Sequence, residues 1–249
     1  MLAPSIDEAL NRLDLPGMLR ALRLQLNDPR SVERSFEDRM IELLEAERLD
    51  RSDHQVQRFK RQSRLPPSAT LHGVDYKARR GLKRPVIESL GRCDWVRQAH
   101  NVLLTGPTGI GKTYLASAIG TAGIGEGFTV AYWRVPDLLD ALAIAEETKS
   151  LKALRRRTDR VQLLILDDWL VGSLSVRQSQ EMRRLIDARE HKTATLVASP
   201  VPVEDWHTQI EDPTAADAIL DRLCGRGLRI TLVGESMRLK YSTVAQTIA

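Results

Sequence analysis

Aromatic residues make up only 4% of this 249-residue chain, and cysteine and asparagine are scarcer still, with two and three residues. Each shortage excludes something. Cys93 and Cys224 stand far apart with no C-x-x-C spacing, which argues against a disulfide framework or a zinc site and for a reducing cytoplasm. Asn11, Asn27 and Asn101 open no N-K-x-D sequence, so the guanine-reading motif of small GTPases is missing. No apolar run approaches 18 residues, and the opening MLAPSIDEAL carries no basic segment ahead of an apolar one. Neither a membrane span nor a secretory signal is expected. Internal repeats and low-complexity tracts are absent as well. What remains, 42% hydrophobic and 28% charged, is the composition of a soluble globular protein. The length accommodates one α/β domain of about 150–200 residues with a smaller piece beside it.

The stretch that organises the rest is LLTGPTGIGKTYLA, Leu103 to Ala116. It reads as a short apolar strand, a glycine-rich loop and the start of a helix. Gly106, Pro107, Thr108, Gly109, Ile110, Gly111, Lys112 and Thr113 satisfy G-x-x-x-x-G-K-[ST] at every fixed position, and Tyr114 follows directly. Such a loop turns successive backbone N–H groups towards a polyphosphate. Its glycines allow the curl, its lysine meets the β- and γ-phosphates, and its threonine hydroxyl meets Mg²⁺. The helix that starts there adds its positive dipole end. A bound nucleoside triphosphate is the expectation.

Ahead of this stretch, residues 1 to about 65 read as a small, basic, all-helical module suited to interaction. Ser5-Ile-Asp-Glu8 fits a capping box, and Pro16-Gly17 divides a leucine-rich pattern into two short helices. Ser35-Phe-Glu-Asp38 opens a further helix whose apolar stripe is interrupted by Glu47. A basic helix from about Asp53 to Arg64 is expected next, stopped by Pro66-Pro67. From Leu71 to Ala99 the chain connects, with Pro85 in the first turn of a helix ending near Leu90-Gly91. Then strands and helices alternate. Strands are expected at Asn101–Thr105, Phe128–Val135, Val161–Asp167, Ala194–Ser199 and Leu228–Val233, with helical patterns between them. Alternation of this kind predicts a parallel sheet covered on both faces. The ATPase part is assigned to 66–249.

Val161-Gln-Leu-Leu-Ile-Leu-Asp167-Asp168 is a buried strand ending in two carboxylates, where an open α/β sheet holds its ligands. Asp167 fits the acidic residue that holds Mg²⁺, and Asp168 the one that polarises the attacking water. The net charge is only +4, yet basic residues gather at Arg58-Phe-Lys60-Arg61-Gln-Ser-Arg64 and at Arg155, Arg156, Arg157 and Arg160. Around a nucleotide-binding core these clusters point to a polyanionic partner, nucleic acid first.

The phosphate loop, LLILDDW, Thr195-Leu-Val-Ala-Ser-Pro-Val-Pro-Val-Glu-Asp-Trp-His207, Asp212-Pro-Thr-Ala-Ala-Asp-Ala-Ile-Leu-Asp-Arg-Leu223 and Gly234-Glu-Ser-Met-Arg238 together resemble the IstB family of transposition helper ATPases. The likeness covers nearly the whole chain. It implies an AAA+ core with a five-stranded parallel sheet in the order 5-1-4-3-2, ATP with Mg²⁺ as cofactors, and kinship to the DnaC helicase loader. It also implies ATP-dependent self-assembly on duplex DNA in support of a partner transposase. Carried onto matching positions, it makes Ser199 a γ-phosphate sensor, Arg222 the arginine finger for a neighbour's ATP and Arg238 a second sensor. Asp168 stands where glutamate is usual, so slow, regulatory hydrolysis is expected. Only eleven residues follow Arg238, too few for a full helical lid. DNA contacts are expected at Arg58, Lys60, Arg61, Arg155, Arg156, Arg157, Arg183 and Arg184. A helicase loader of the DnaC kind and a small-molecule kinase remain open alternatives.

Overall fold

A computed structural model of the chain describes residues 4–78 and 80–237. The chain divides into two units, Met1–Arg58 and Phe59–Ala249.

In the first unit, α1 (Pro4–Arg12) and α2 (Pro16–Asn27) are separate helices, as the Pro16-Gly17 break predicts. Asp14 takes a left-handed conformation (φ 55°) between them. Ser5 is not a cap: α1 has already begun at Pro4, which tolerates the missing donor of a first turn. α3 (Phe36–Ser63) starts on Ser35, whose hydroxyl accepts the Asp38 N–H (3.1 Å). It runs for 28 residues without the expected interruption, because no glycine or proline occurs within it. Arg64 (φ 61°) ends it in a left-handed turn, ahead of Pro66-Pro67.

Glu47 does not break the α3 face; it secures it. The residue is buried, and its carboxylate accepts the Met18 N–H (3.1 Å) and Arg51 Nε (2.8 Å). It thereby serves the start of α2, which has no side-chain cap of its own. Burial pushes this carboxyl up, but the bonds from Arg51 and from the Met18 and Gly17 amides outweigh that and hold it below its ordinary value. Gly17 is required by proximity: a Cβ there would lie 2.6 Å from the Ala46 carbonyl oxygen.

In the second unit, a connector passes through α4 (Arg84–Gly91) and α5 (Asp94–Arg97) into β1 (Asn101–Thr105). There follow α6 (Lys112–Gly125), β2 (Val130–Arg134), α7 (Val135–Glu147), α8 (Leu151–Arg160), β3 (Leu163–Asp167), α9 (Val176–Arg189), β4 (Ala194–Ser199), α10 (Pro213–Gly225) and β5 (Gly227–Thr231). The sheet order is β2-β3-β4-β1-β5, which is 5-1-4-3-2 read from the other edge, and every pairing is parallel. The strands sit where the hydrophobic runs place them. β2 and β3 are shorter than expected, since Phe128, Thr129, Val161 and Gln162 lie ahead of them and Val135 already begins α7, and β5 stops before Leu232 and Val233. One face of the sheet, through Leu103, Trp133, Leu164, Leu166 and Val197, packs on Leu138, Met182, Leu185 and Ile219 of α7, α9 and α10. α6 covers the other face, where Gly120 approaches Ile165.

Trp206 is fully buried against Trp169 with ring centroids 5.8 Å apart, whereas the adjoining His207 is exposed. Cys93 is buried too, and burial pushes its thiol up to about 11. No helix among the described residues is long and apolar enough to cross a membrane.

Candidate nucleotide-binding site

The phosphate loop leaves the carboxyl end of β1 and closes on the first turn of α6. All three of its glycines take positive φ, and at Gly111 (φ 99°) a Cβ would lie 2.6 Å from Arg80 Nη1, so only glycine fits. Lys112 is buried and curls back over the loop, donating to the carbonyls of Gly106 (2.6 Å) and Pro107 (3.0 Å). A buried ammonium among backbone groups is costly unless an anion balances it. Beside the loop opens a cavity of about 820 Å³, lined among others by Thr108, Gly109, Gly111, Lys112, Thr113 and Asp168. Its volume falls in the usual range for small-molecule sites. Tyr114 also lines it, and its hydroxyl donates to the Thr70 carbonyl (3.2 Å), while Pro66, Ala69, Gly73 and Asp75 bring the connector to the same wall.

Asp167 and Asp168 close β3. Asp167 is buried, with one carboxylate oxygen accepting the Tyr132 hydroxyl (2.8 Å) and the other the Asp168 N–H (2.9 Å). Each oxygen retains a lone pair for a cation, so the pair of donors orients the carboxylate without blocking it. Burial and then the Asp167 charge push the Tyr132 phenol far up, keeping it a proton donor. Asp168 stands in a left-handed conformation (φ 54°), which an aspartate tolerates, and its Oδ2 accepts Arg134 Nε (2.7 Å). Register explains this ring: β2 and β3 pair Arg134 with Asp167, so β2 delivers Tyr132 and Arg134 to the acidic end of β3.

Two expected positions lie elsewhere. Ser199 ends β4 fully buried, its hydroxyl donating to the Trp169 carbonyl (2.6 Å) and accepting the Val201 N–H (3.0 Å). Its one proton is spent on Trp169, and it does not line the cavity; Pro200 does. Arg222 sits at the opposite end of the sheet, where its carbonyl accepts Asn101 Nδ2 (3.0 Å) at the first residue of β1. Its guanidinium pairs with Asp187 (2.7 Å) and Glu190 (3.1 Å). Arg238 lies outside the described residues.

Among the basic residues, Arg58, Lys60, Arg61, Arg156 and Arg157 are exposed. Arg157 donates to the Gln62 carbonyl (2.9 Å). Arg155 is tied to Glu181 (2.6 Å), Arg184 to Asp159 (3.1 Å) and Arg183 to Asp187 (3.7 Å). The sequence did not single out Tyr132, Arg134, Arg80 or the connector residues 66–75. Arg134 is the last residue of β2, a charge closing an apolar run, the one local hint among them.

Sheet order, phosphate loop and paired strand-end carboxylates together define a P-loop ATPase fold of the AAA+ class. The likeness extends to solved structures. DnaA of Aquifex aeolicus, bound to AMPPCP, shares the fold at a TM-score of 0.58 over 72% of this chain and 54% of its own, at 21% identity. The DnaC helicase loader matches at 0.58 over 67% of this chain and 98% of its own, at 15% identity.

The family follows from the sequence as a whole: residues 8–245 match the model of the IstB-like ATP binding proteins, and the chain belongs to that family. A putative insertion sequence ATP-binding protein of Sinorhizobium fredii is 37% identical over 94% of this chain and 96% of its own. The putative ATP-binding protein of insertion sequence IS1162, from Pseudomonas fluorescens, is 38% identical over 78% and 84%.

Proposed function

We propose that this protein is the ATP-dependent helper of an insertion sequence, assembling on duplex target DNA and stimulating a partner transposase. The observation that carries the reading is the match of nearly the whole chain to insertion-sequence ATP-binding proteins, joined to a built phosphate cavity. The residues present suit a triphosphate: a buried lysine, a glycine cradle that a Cβ would fill, and carboxylates at the end of β3. Lys112 and the loop amides hold the β- and γ-phosphates. Thr113 and Asp167 would hold Mg²⁺, which would neutralise phosphate charge. Asp168 orients the water that attacks the γ-phosphorus, as the bond to ADP breaks, and takes up its proton. Its Oδ2 is engaged by Arg134, so hydrolysis requires that pair to open or the other oxygen to serve.

Arg222 acts on a neighbouring copy. A five-residue strand separates it from its own phosphate loop, about 13 Å at 3.3 Å per residue, so it serves an ATP held by another subunit. Self-assembly completes the site. The 1–65 segment serves as an interaction module, and 66–249 as the ATPase domain. Arg58, Lys60, Arg61, Arg156 and Arg157 are the foremost DNA contacts, being exposed; Arg155, Arg183 and Arg184 must first leave their carboxylates. Phosphate contacts of this sort bind with little sequence preference.

Sedimentation with a labelled duplex of several helical turns tests the reading, in ATP, in ADP, and in ATP with Lys112→Ala. A large complex only with ATP and intact Lys112 is expected. Equal behaviour in all three tubes overturns nucleotide control, and tighter binding to single strands than to duplex favours a helicase-loading role instead.

A further inference from the structure

The connector contributes a buried cation to the same cavity. Arg80 is 6% exposed and lines the cavity wall beside Gly111 and Lys112. Its Nη1 donates to the Ile110 carbonyl (2.9 Å) and its Nη2 to the Asp75 carbonyl (2.7 Å). Its Nε is buried with no hydrogen-bond partner among the described residues. A guanidinium in such a place is a deliberate expense, since an unmet buried donor carries its full desolvation cost. The backbone that aims it is fixed on both sides: Arg80 N–H donates to Ala78 (2.8 Å), and its carbonyl accepts the Val233 N–H (3.1 Å) just past β5.

We propose that Arg80 is a positioning residue for the phosphate loop and a second cation for the bound polyphosphate. The physical basis is the planar trans peptide. In such a unit the C=O and the following N–H point in opposite directions. By holding the Ile110 carbonyl, Arg80 directs the Gly111 N–H away from itself and keeps that unit from turning its oxygen towards phosphate. Its planar fork bonds two carbonyls at once, which a lysine ammonium on its flexible stem does not reproduce. The positive charge left beside the cavity then acts on the anion with little screening, because the group is buried.

This inference rests on the nucleotide reading of the same site, and the test separates the two. Equilibrium titration of the full chain with a fluorescent ATP analogue, and its displacement by inorganic triphosphate, would be measured for wild type, Arg80→Met, Arg80→Gln, Arg80→Lys and Lys112→Ala. Thermal unfolding reports stability separately. Arg80→Met and Arg80→Gln are expected to weaken both ligands about tenfold or more, with Arg80→Lys recovering part of the loss. A variant that merely disturbed packing would lower the melting temperature and leave the affinity of the folded fraction intact. Wild-type affinity in Arg80→Gln, or in Arg80→Lys should the neutral variants not fold, overturns the role of Arg80 while Lys112→Ala still fails to bind. Wild-type affinity in Lys112→Ala overturns the site itself.

Discussion

Two buried arginines in the second unit sit in opposite circumstances. Arg189, at the end of α9, donates to the carbonyls of Thr158 (2.6 Å), Val161 (3.0 Å) and Ala194 (2.5 Å) and to the Thr195 hydroxyl (3.1 Å). It gathers the starts of β3 and β4 against the helix that joins them, and every guanidinium nitrogen is used. Arg80, at the phosphate loop, has two partners and a buried donor to spare. A saturated polar group holds a fold together; an unsaturated one beside a cavity is held ready for a ligand. The same contrast divides the sheet. At its amino end Arg189 ties α8, β3 and β4 together, while at its carboxyl end Lys112 and Asp168 line the cavity and Asp167 lies buried beside them.

The sharpest way to break this contrast is Arg189→Met. Stripping the donors from four acceptors, three of them on buried residues, is expected to cost about 3–5 kcal/mol of stability in chemical denaturation, at about 1–3 kcal/mol for each unmet group less what relaxation recovers. ATP affinity of the folded protein should stay within about twofold of wild type. A large loss of affinity at unchanged stability would place Arg189 in the binding machinery and erase the distinction.

At the other end, Asp168→Asn separates turnover from binding. Asparagine accepts the same left-handed backbone but cannot take up a proton, so hydrolysis should fall about a hundredfold or more, with ATP binding retained. Unchanged phosphate release would remove Asp168 from the water-orienting role. Tyr132→Phe should act more mildly, by freeing the Asp167 carboxylate to rotate. The Mg²⁺ concentration for half-maximal hydrolysis is expected to rise about tenfold, as loss of a group that orients a ligand typically does. An unaltered Mg²⁺ requirement would mean that the Asp168 amide suffices.

The smallest effect concerns the first unit, where burial has been matched by bonding, as at Arg189. Glu47 is held below its ordinary carboxyl value of 4.5, so the stability it confers is present above that pH and drains away as the pH falls through the lowered value. Glu47→Gln should cost about 1 kcal/mol at neutral pH and flatten the acid limb of the unfolding profile. An acid limb of the same slope in the variant would assign the pH dependence to other carboxylates.

How much of this was legible beforehand follows physical lines. The strands, the phosphate loop and the acidic strand end were readable because each is local: a run of apolar residues, a fixed glycine spacing, two carboxylates after a buried strand. Tyr132 and Arg134 were not, because only the pairing of β2 with β3 carries them to Asp167 and Asp168. Nothing local to Arg80 says that its guanidinium turns inward onto Ile110. Glu47 was misread for the same reason, since a charge interrupting an apolar stripe is a fault until the start of α2 supplies its partners. Ser199 was placed in the right element, and the bond of its hydroxyl to the Trp169 carbonyl depends on a loop the sequence does not constrain.

The measurement closest to the central claim is equilibrium binding of Mg-ATP to the full chain, by calorimetry, with Lys112→Ala in parallel. Saturable binding by the wild type, at one site per chain, weakened at least about a hundredfold by the substitution and so by about 2.7 kcal/mol, is the predicted result. Equal binding by both proteins would contradict the account, because the loop at the carboxyl end of β1 would then not be what holds the triphosphate.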